Sequence, residues 1–214
     1  MNGPIPSSQV RELHTERLIL RAIDPEADNE DIHEWYSMPE PMKYTTQHPR
    51  TDPSETLAFI KHRCSATHSL MYAITIPSPT PSPSRARKVI GILGAKAFPE
   101  IGYSMNPRFH HKGYMTEAVR AFIPELFHVM PSADEGGFDY VNAYADREHV
   151  ASMGVLARCG FQRGQVIKGE YTSSQLGLRD VVGWYVARPG TELDPKLLEG
   201  WKEEKEERPV PDVS

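Results

Sequence analysis

The stretch EIGYSMNPRFHHKGYMT, residues 100–116, decides the fold. Glu100 to Met105 reads as a strand, the chain turns at Asn106 and Pro107, and a short polar loop carrying Gly113 feeds a helical segment. In that segment Met115, Ala118, Val119, Phe122 and Leu126 fall at i, i+3, i+4, i+7 and i+11, a single apolar stripe. A helix start offers free backbone N–H groups and the positive end of the macrodipole, and together these bind phosphate. Gly113 would let the backbone approach a pyrophosphate, with Lys112 and Arg108 adding charge. Taken alone, the loop is equally well an ordinary strand–loop–helix connection, because one glycine is weak evidence.

Working outward, the upstream half reads as a strand at Arg17–Arg21, a helix at 28–37 and a second helix at 53–64. Thr51 or Asp52 caps the second helix, and Pro53 stands near its first position. Leu70–Ile76 and Val89–Ala97 are strands, the latter turning through Pro99 into the strand at Glu100. Between them PSPTPSPS, residues 77–84, reads as a flexible hairpin loop. Downstream, the helix from about Lys112 should bend at Pro124. A strand at Phe138–Ala145 precedes a helix at 148–158 with Ser152, Val155, Leu156 and Cys159 on one face and Gly160 at C′. Phe161–Tyr171 and Arg179–Ala187 close the pattern as a strand pair. The expected fold is α/β (α+β), about seven strands in one mixed sheet flanked by about four helices. It occupies 13–190, between a loose leader (1–12) and a charged tail (191–214).

The bulk numbers fit one soluble catalytic domain. The chain has 214 residues, 39% apolar and 25% charged, with a formal net charge of −5. That charge and the absence of a basic stripe argue against nucleic acid as a partner. No apolar run is long enough for a membrane span, and MNGPIPSSQV lacks the apolar core of a secretory signal. A cytoplasmic protein, monomer or homodimer, is expected. Cys64 and Cys159 read as free thiols of a reducing compartment. His110 and His111 are adjacent and lack a third ligand, so no metal is expected.

Six segments together carry a resemblance: LHTERLILRAID (13–24), EWYSMPEPMKY, VIGILGA, EIGYSMNP, HHKGYMTEA and DREHVASMGVLARCGF, with LGLRDVVGWYVARP closing the chain. In that order they resemble the GNAT superfamily of N-acetyltransferases, specifically its RimJ/RimL-type branch, over about residues 13–188. The resemblance implies a mostly antiparallel sheet with a splayed central strand pair. It also implies acetyl-CoA as co-substrate and an amine as acceptor, either a small molecule or a protein N-terminus. The acyl-CoA loop, Q/R-x-x-G-x-G/A in the family, maps onto His110–Met115. Gly113 is kept, His110 replaces Gln or Arg, His111 stands where glycine is frequent, and Met115 replaces Gly or Ala. Lys112, Tyr114 and Thr116 complete the loop. Tyr103, Ser104 and Met105 would line the cofactor arm, with the Met105 N–H polarising the acetyl carbonyl. His149 stands where an asparagine usually contacts pantetheine, and Ser152 matches the serine that assists the leaving thiolate. The departures at His110, Met115 and His149 motivate an alternative, an acyl-CoA-binding module without turnover.

Direct attack on the thioester needs a neutral amine. An amine of pKa near 10.4 is neutral about once in 2,500 at pH 7, a handicap of roughly 4.6 kcal/mol, against about 1 kcal/mol for an α-amino group. A base therefore helps. Two carboxylates are candidates: Glu100, at the start of its strand, and Glu170, near the end of the strand after Gly160. Trp35, Tyr36 and Tyr44 are candidates for the acceptor pocket, and the polar segment 35–50 reads as an acceptor-side loop.

Overall fold

The structure, a computed structural model, describes residues 10–66, 69–82 and 85–199. Eight strands form one sheet: β1 (Leu13–His14), β2 (Ile19–Ala22), β3 (Leu70–Ser82), β4 (Arg85–Ala97), β5 (Glu100–Met105), β6 (Tyr140–Asp146), β7 (Gln162–Ser173) and β8 (Gly177–Ala187). Their spatial order is β1-β2-β3-β4-β5-β6-β8-β7. Every neighbouring pair is antiparallel except β5–β6, which is parallel. Parallel neighbours need a crossover, and α4 (Tyr114–Val129) supplies it.

Two apolar clusters sandwich the sheet. On one face α4 and α5 (Val150–Arg158) bury Met115, Val119, Phe122, Leu126 and Leu156 against Leu20, Leu93, Ile101 and Val182. On the other face α1 (Pro25–Tyr36) and α3 (Pro53–Ser65) bury Ile32, Trp35 and Ile60 against Ala73, Val89 and Ile92. The helices start where side chains satisfy the free N–H groups. Asp24 caps α1, and Asp52 with Glu55 forms a capping box on α3. The last turn of α5 closes through Gly160 at φ +85, with bonds from Gly160 N to the Ala157 carbonyl (3.1 Å) and from Phe161 N to the Leu156 carbonyl (3.1 Å). This double bond with a left-handed glycine sends Phe161 into the core.

Three expectations need correction. The leader is not loose over residues 10–12: Val10 packs on the core, Arg11 pairs with the buried Glu125, and the Tyr72 hydroxyl donates to the Arg11 carbonyl (2.9 Å). Residues 1–9 lie outside the described residues. The Pro/Ser stretch does not form a loop at 77. β3 runs on to Ser82, which faces Arg85, and residues 83 and 84 lie outside the description. Pro77, Pro79 and Pro81 fall where the β3–β4 register shifts and where β2 no longer covers β3 beyond Thr75, so their missing N–H groups interrupt little of the ladder. The tail is anchored at its start by a 3-10 turn, Pro195–Leu197, with Gln165 Nε2 donating to the Lys196 carbonyl (3.2 Å). A further unforeseen turn of helix, α2 (Pro39–Met42), lies within the polar 35–50 segment.

Candidate active site

β5 and β6 align at one position, Glu100 with Asn142, and then part. Among the described residues no strand fills the gap that opens beyond this point. Two bonds fix which backbone groups face it. Asn106 N donates to Ile90 O on β4 (2.9 Å), and Asn142 N donates to Pro99 O from the β6 side (3.2 Å). Successive residues of a strand point their polar groups to opposite edges, so the N–H groups of Tyr103 and Met105 face the split. The Met105 carbonyl lies on that same edge, and His110 Nε2 is 3.0 Å from it. The split therefore has an edge able to pair with a polar chain laid along it.

Side chains alternate across the same strand. Ile101, Tyr103 and Met105 point to α4 and α5. Glu100, Gly102 and Ser104 share the opposite face, where Trp35 Nε1 donates to Ser104 Oγ (2.8 Å). The Tyr103 hydroxyl lies 2.9 Å from Ser152 Oγ and 3.1 Å from the Ser152 carbonyl on α5. This pair bridges from β5 to α5 beside the split. Burial pushes the Tyr103 phenol far up, so it keeps its proton at neutral pH.

One turn before Ser152, His149 stands at the N-terminus of α5, and its ring stacks on Tyr44 at 4.5 Å between centroids. Burial first, then His110 and Lys43, pull its pKa below the ordinary value against the opposing pull of Asp146. Asp146, at the end of β6, is buried and held by Arg179 (2.9 Å) and the Tyr171 hydroxyl (2.6 Å), and despite its burial these bonds bring its pKa to about 2. The tip of the β7–β8 hairpin clasps the segment after α1. Ser173 Oγ donates to Lys43 O (2.7 Å), Ser174 Oγ to Gln47 O (2.8 Å) and Gln175 Nε2 to Pro39 O (2.7 Å). Tyr44 is thereby fixed over the mouth of the split.

At that mouth the loop 107–113 leads into α4. His111 takes φ +59 and Gly113 φ +78, so the position where glycine is frequent in the resemblance does adopt a glycine-like backbone. The N–H groups of Tyr114, Met115 and Thr116 have no carbonyl one turn earlier to bond. Arg17 braces the turn: its Nη1 donates to Lys112 O (2.9 Å), its Nε to Glu117 (2.7 Å), and its guanidinium lies 4.7 Å from the Tyr114 ring centroid. Beside it a cleft of about 440 Å³ collects three arginines, Arg17, Arg120 and Arg158, and two carboxylates, Glu16 and Glu117, around Gly113 and Thr116. Arg120 Nη2 donates to Arg158 O (2.7 Å), which ties the Arg120 guanidinium to the end of α5.

The structure brings together Tyr103, Met105, His110, His111, Gly113, Tyr114, His149, Ser152 and Tyr44. Lys112 is exposed beside this loop, over the Phe109 ring. Met115 and Thr116 are buried at the start of α4. Trp35 and Tyr36 are not pocket lining but core side chains of the α1 face, where Trp35 supports Ser104. Glu170 is exposed on the edge strand β7, opposite in facing to Tyr171, and is not drawn into the split. Glu100 stands where β5 and β6 begin to part; the residue is exposed, yet desolvation of its carboxyl outweighs the nearby Arg63 and Lys96 and raises its pKa. Asn142 and Tyr144 gave no motif in the sequence, because which strand borders β5 is set by the crossover; Asp146 and Arg179 fall in segments of the resemblance, but their pairing could not be read from them.

A parallel pair that parts beside a helix start with free N–H groups defines a fold with an open strand edge next to an anion-ready helix terminus. The chain belongs to the GNAT acetyltransferase domain family, whose model matches residues 17–162. As such it is an acyl-CoA-dependent N-acetyltransferase with acetyl-CoA as co-substrate. Similar solved structures include a GNAT-family acetyltransferase from Bacillus anthracis, 21% identical with TM-score 0.65, covering 83% of this chain and 98% of its own. RimL, a ribosomal α-N-protein acetyltransferase solved with coenzyme A, is 18% identical with TM-score 0.64, covering 83% and 98%. A ribosomal-protein-alanine acetyltransferase from Vibrio fischeri is 16% identical with TM-score 0.62, covering 86% and 100%. At these identities the likeness is one of fold. A search of curated proteins finds no match.

Proposed function

We propose that the chain acetylates a primary amine by direct attack on acetyl-CoA held in the β5–β6 split. The observation that carries this reading is the parting of that pair beside the Tyr103–Ser152 hydrogen bond. The pantetheine arm lies along β5 and pairs with the backbone of Tyr103 and Met105, and the acetyl carbonyl takes one of those N–H groups. The diphosphate meets the free N–H groups of Tyr114, Met115 and Thr116, with Arg17, Arg120 and Arg158 adding charge.

The acid and base then act from opposite sides of the sheet. The amine enters from the α1/α3 face, where Glu100 stands, and gives up its proton to that carboxylate directly or through water. Its nitrogen lone pair attacks the carbonyl carbon. As the tetrahedral centre collapses, the nitrogen loses its remaining excess proton to water and the C–S bond breaks. The thiolate leaves toward the α4/α5 face, where it takes up a proton from water to become the free thiol. There the Ser152 hydroxyl donates to sulfur, and Tyr103 donates to Ser152 Oγ behind it. A carboxyl raised by desolvation is the better base at neutral pH, and a phenol raised by burial stays protonated between turnovers.

Thiol release from acetyl-CoA is the test, run over a panel of amines and short N-terminal peptides. Ser152→Ala should lower kcat by about 10- to 100-fold with acetyl-CoA affinity little changed, and Glu100→Gln should flatten the rise of rate with pH. Acetyl-CoA binding in calorimetry without thiol release from any amine would instead favour the acyl-CoA-binding module.

A further inference from the structure

The face of β6 and β8 beyond the α1/α3 layer carries a group of side chains that neither the cofactor nor the core uses. Strand alternation puts Tyr140, Asn142, Tyr144 and Asp146 on this face of β6, and Glu100 opposes Asn142. Tyr144 is 42% exposed, although it sits in the middle of a central strand. Tyr185, opposite Asn142, lays its hydroxyl 2.8 Å from where a side chain on Gly183 would begin, on the side of Tyr144. Tyr140 meets Tyr185 edge to face at 6.0 Å. Asn142 is 6% exposed, and its Oδ1 has no hydrogen-bond partner among the described residues. A buried carbonyl oxygen left without a donor costs roughly 1–3 kcal/mol. Gly102 keeps the neighbouring wall open, its nearest neighbour being the Arg63 guanidinium.

We infer that this trough is the acceptor site, and that it takes a primary monoamine carried on a flat, apolar or aromatic body. The inference rests on the acetyltransferase reading above. Two oxygen acceptors, the Glu100 carboxylate and Asn142 Oδ1, converge where β5 and β6 part, and an amino group is a donor that satisfies both. Beyond them the surface is aromatic, with Tyr140 and Tyr185 edge to face and Tyr144 exposed beside them. A polyamine fits less well. Asp146, the other carboxylate on this face of β6, is already held by Arg179 and Tyr171, and Arg63 and Lys96 lie near Glu100. Among the described residues the trough therefore offers one carboxylate without an ion pair, Glu100, beside a wall of tyrosine rings.

The test compares 2-phenylethylamine, propylamine, spermidine and a short peptide amine, in wild type and in Tyr144→Ala and Asn142→Leu. The expected result is a preference for 2-phenylethylamine over propylamine, which Tyr144→Ala lowers by about tenfold in kcat/KM ratio. Asn142→Leu should raise the KM for 2-phenylethylamine while the melting temperature holds or rises, because it removes a buried unpaired oxygen; a merely structural asparagine would lower it. Preference for spermidine or the peptide, or a preference indifferent to Tyr144→Ala, overturns the inference. So does a loss of self-association in Tyr144→Ala with kinetics unchanged, which would make the face a contact between copies. Absence of acetyl-CoA binding in calorimetry would overturn the acetyltransferase reading itself, and this inference with it.

Discussion

His149 shows how one residue ties the site to pH. Its ring is packed against Tyr44 and faces Asp146, His110 and Lys43, and burial is the largest of the influences, which together lower its pKa. A histidine buried neutral binds its proton less readily in the folded than in the unfolded chain. Its contribution to stability is therefore complete above the ordinary value near 6.5 and is lost as pH falls below it toward the folded value. We expect the melting temperature of the wild type to fall between about pH 6.5 and 5 more steeply than that of His149→Asn. Identical slopes for the two proteins would show that His149 is not buried neutral. The stacking was not legible in the sequence: Tyr44 and His149 are far apart in the chain, and only the grip of the β7–β8 hairpin on residues 39–47 brings them together.

At the scale of elements, the start of α4 is where sequence and structure agree most closely. The glycine and the helical stripe were both visible, and the backbone takes the left-handed turn at Gly113 with φ +78. A Cβ there would meet Arg17 Nη2 at 3.5 Å, an ordinary contact, so the cost of a side chain lies in the backbone conformation. Gly113→Ala should distort the turn and weaken acetyl-CoA by about five- to tenfold, from roughly 1 kcal/mol of strain. Gly136 is the control: it is also left-handed, at φ +84, and has nothing within 4 Å. Gly136→Ala should lower stability by a similar amount and leave acetyl-CoA affinity alone. Equal losses of affinity in both would mean that the effect is global. Elements that the sequence hid were short or atypical. Two residues of β1 cannot show an alternation, one turn of α2 cannot show a period, and a proline run that continues β3 contradicts the usual preference of strands. Glu170 misled for a related reason: its position near the strand end was legible, but facing is set by alternation, and its neighbour Tyr171 takes the inward side.

Across the whole molecule, the sheet is held as two halves that meet at a single aligned position, Glu100 with Asn142. Beyond it the backbone edges of β5 and β6 have no strand between them among the described residues, and a bound cofactor arm would fill that place. Charge works the other way: the chain carries −5 and the cofactor is itself anionic, so the attraction must come from the helix start and from Arg17, Arg120 and Arg158. A ligand that joins the two halves should stabilise the fold as a whole. At a free concentration of one hundred times its Kd, acetyl-CoA adds about 2.7 kcal/mol, which for a domain of this size raises the melting temperature by about 5–10 °C. The amides of Tyr103 and Met105 face the split, so hydrogen exchange should slow at those two positions more than at Gly102 and Ser104, which point to β4. A thermal shift with no added protection at Tyr103 and Met105 would mean that the cofactor binds at the helix start alone and that its arm does not enter the split.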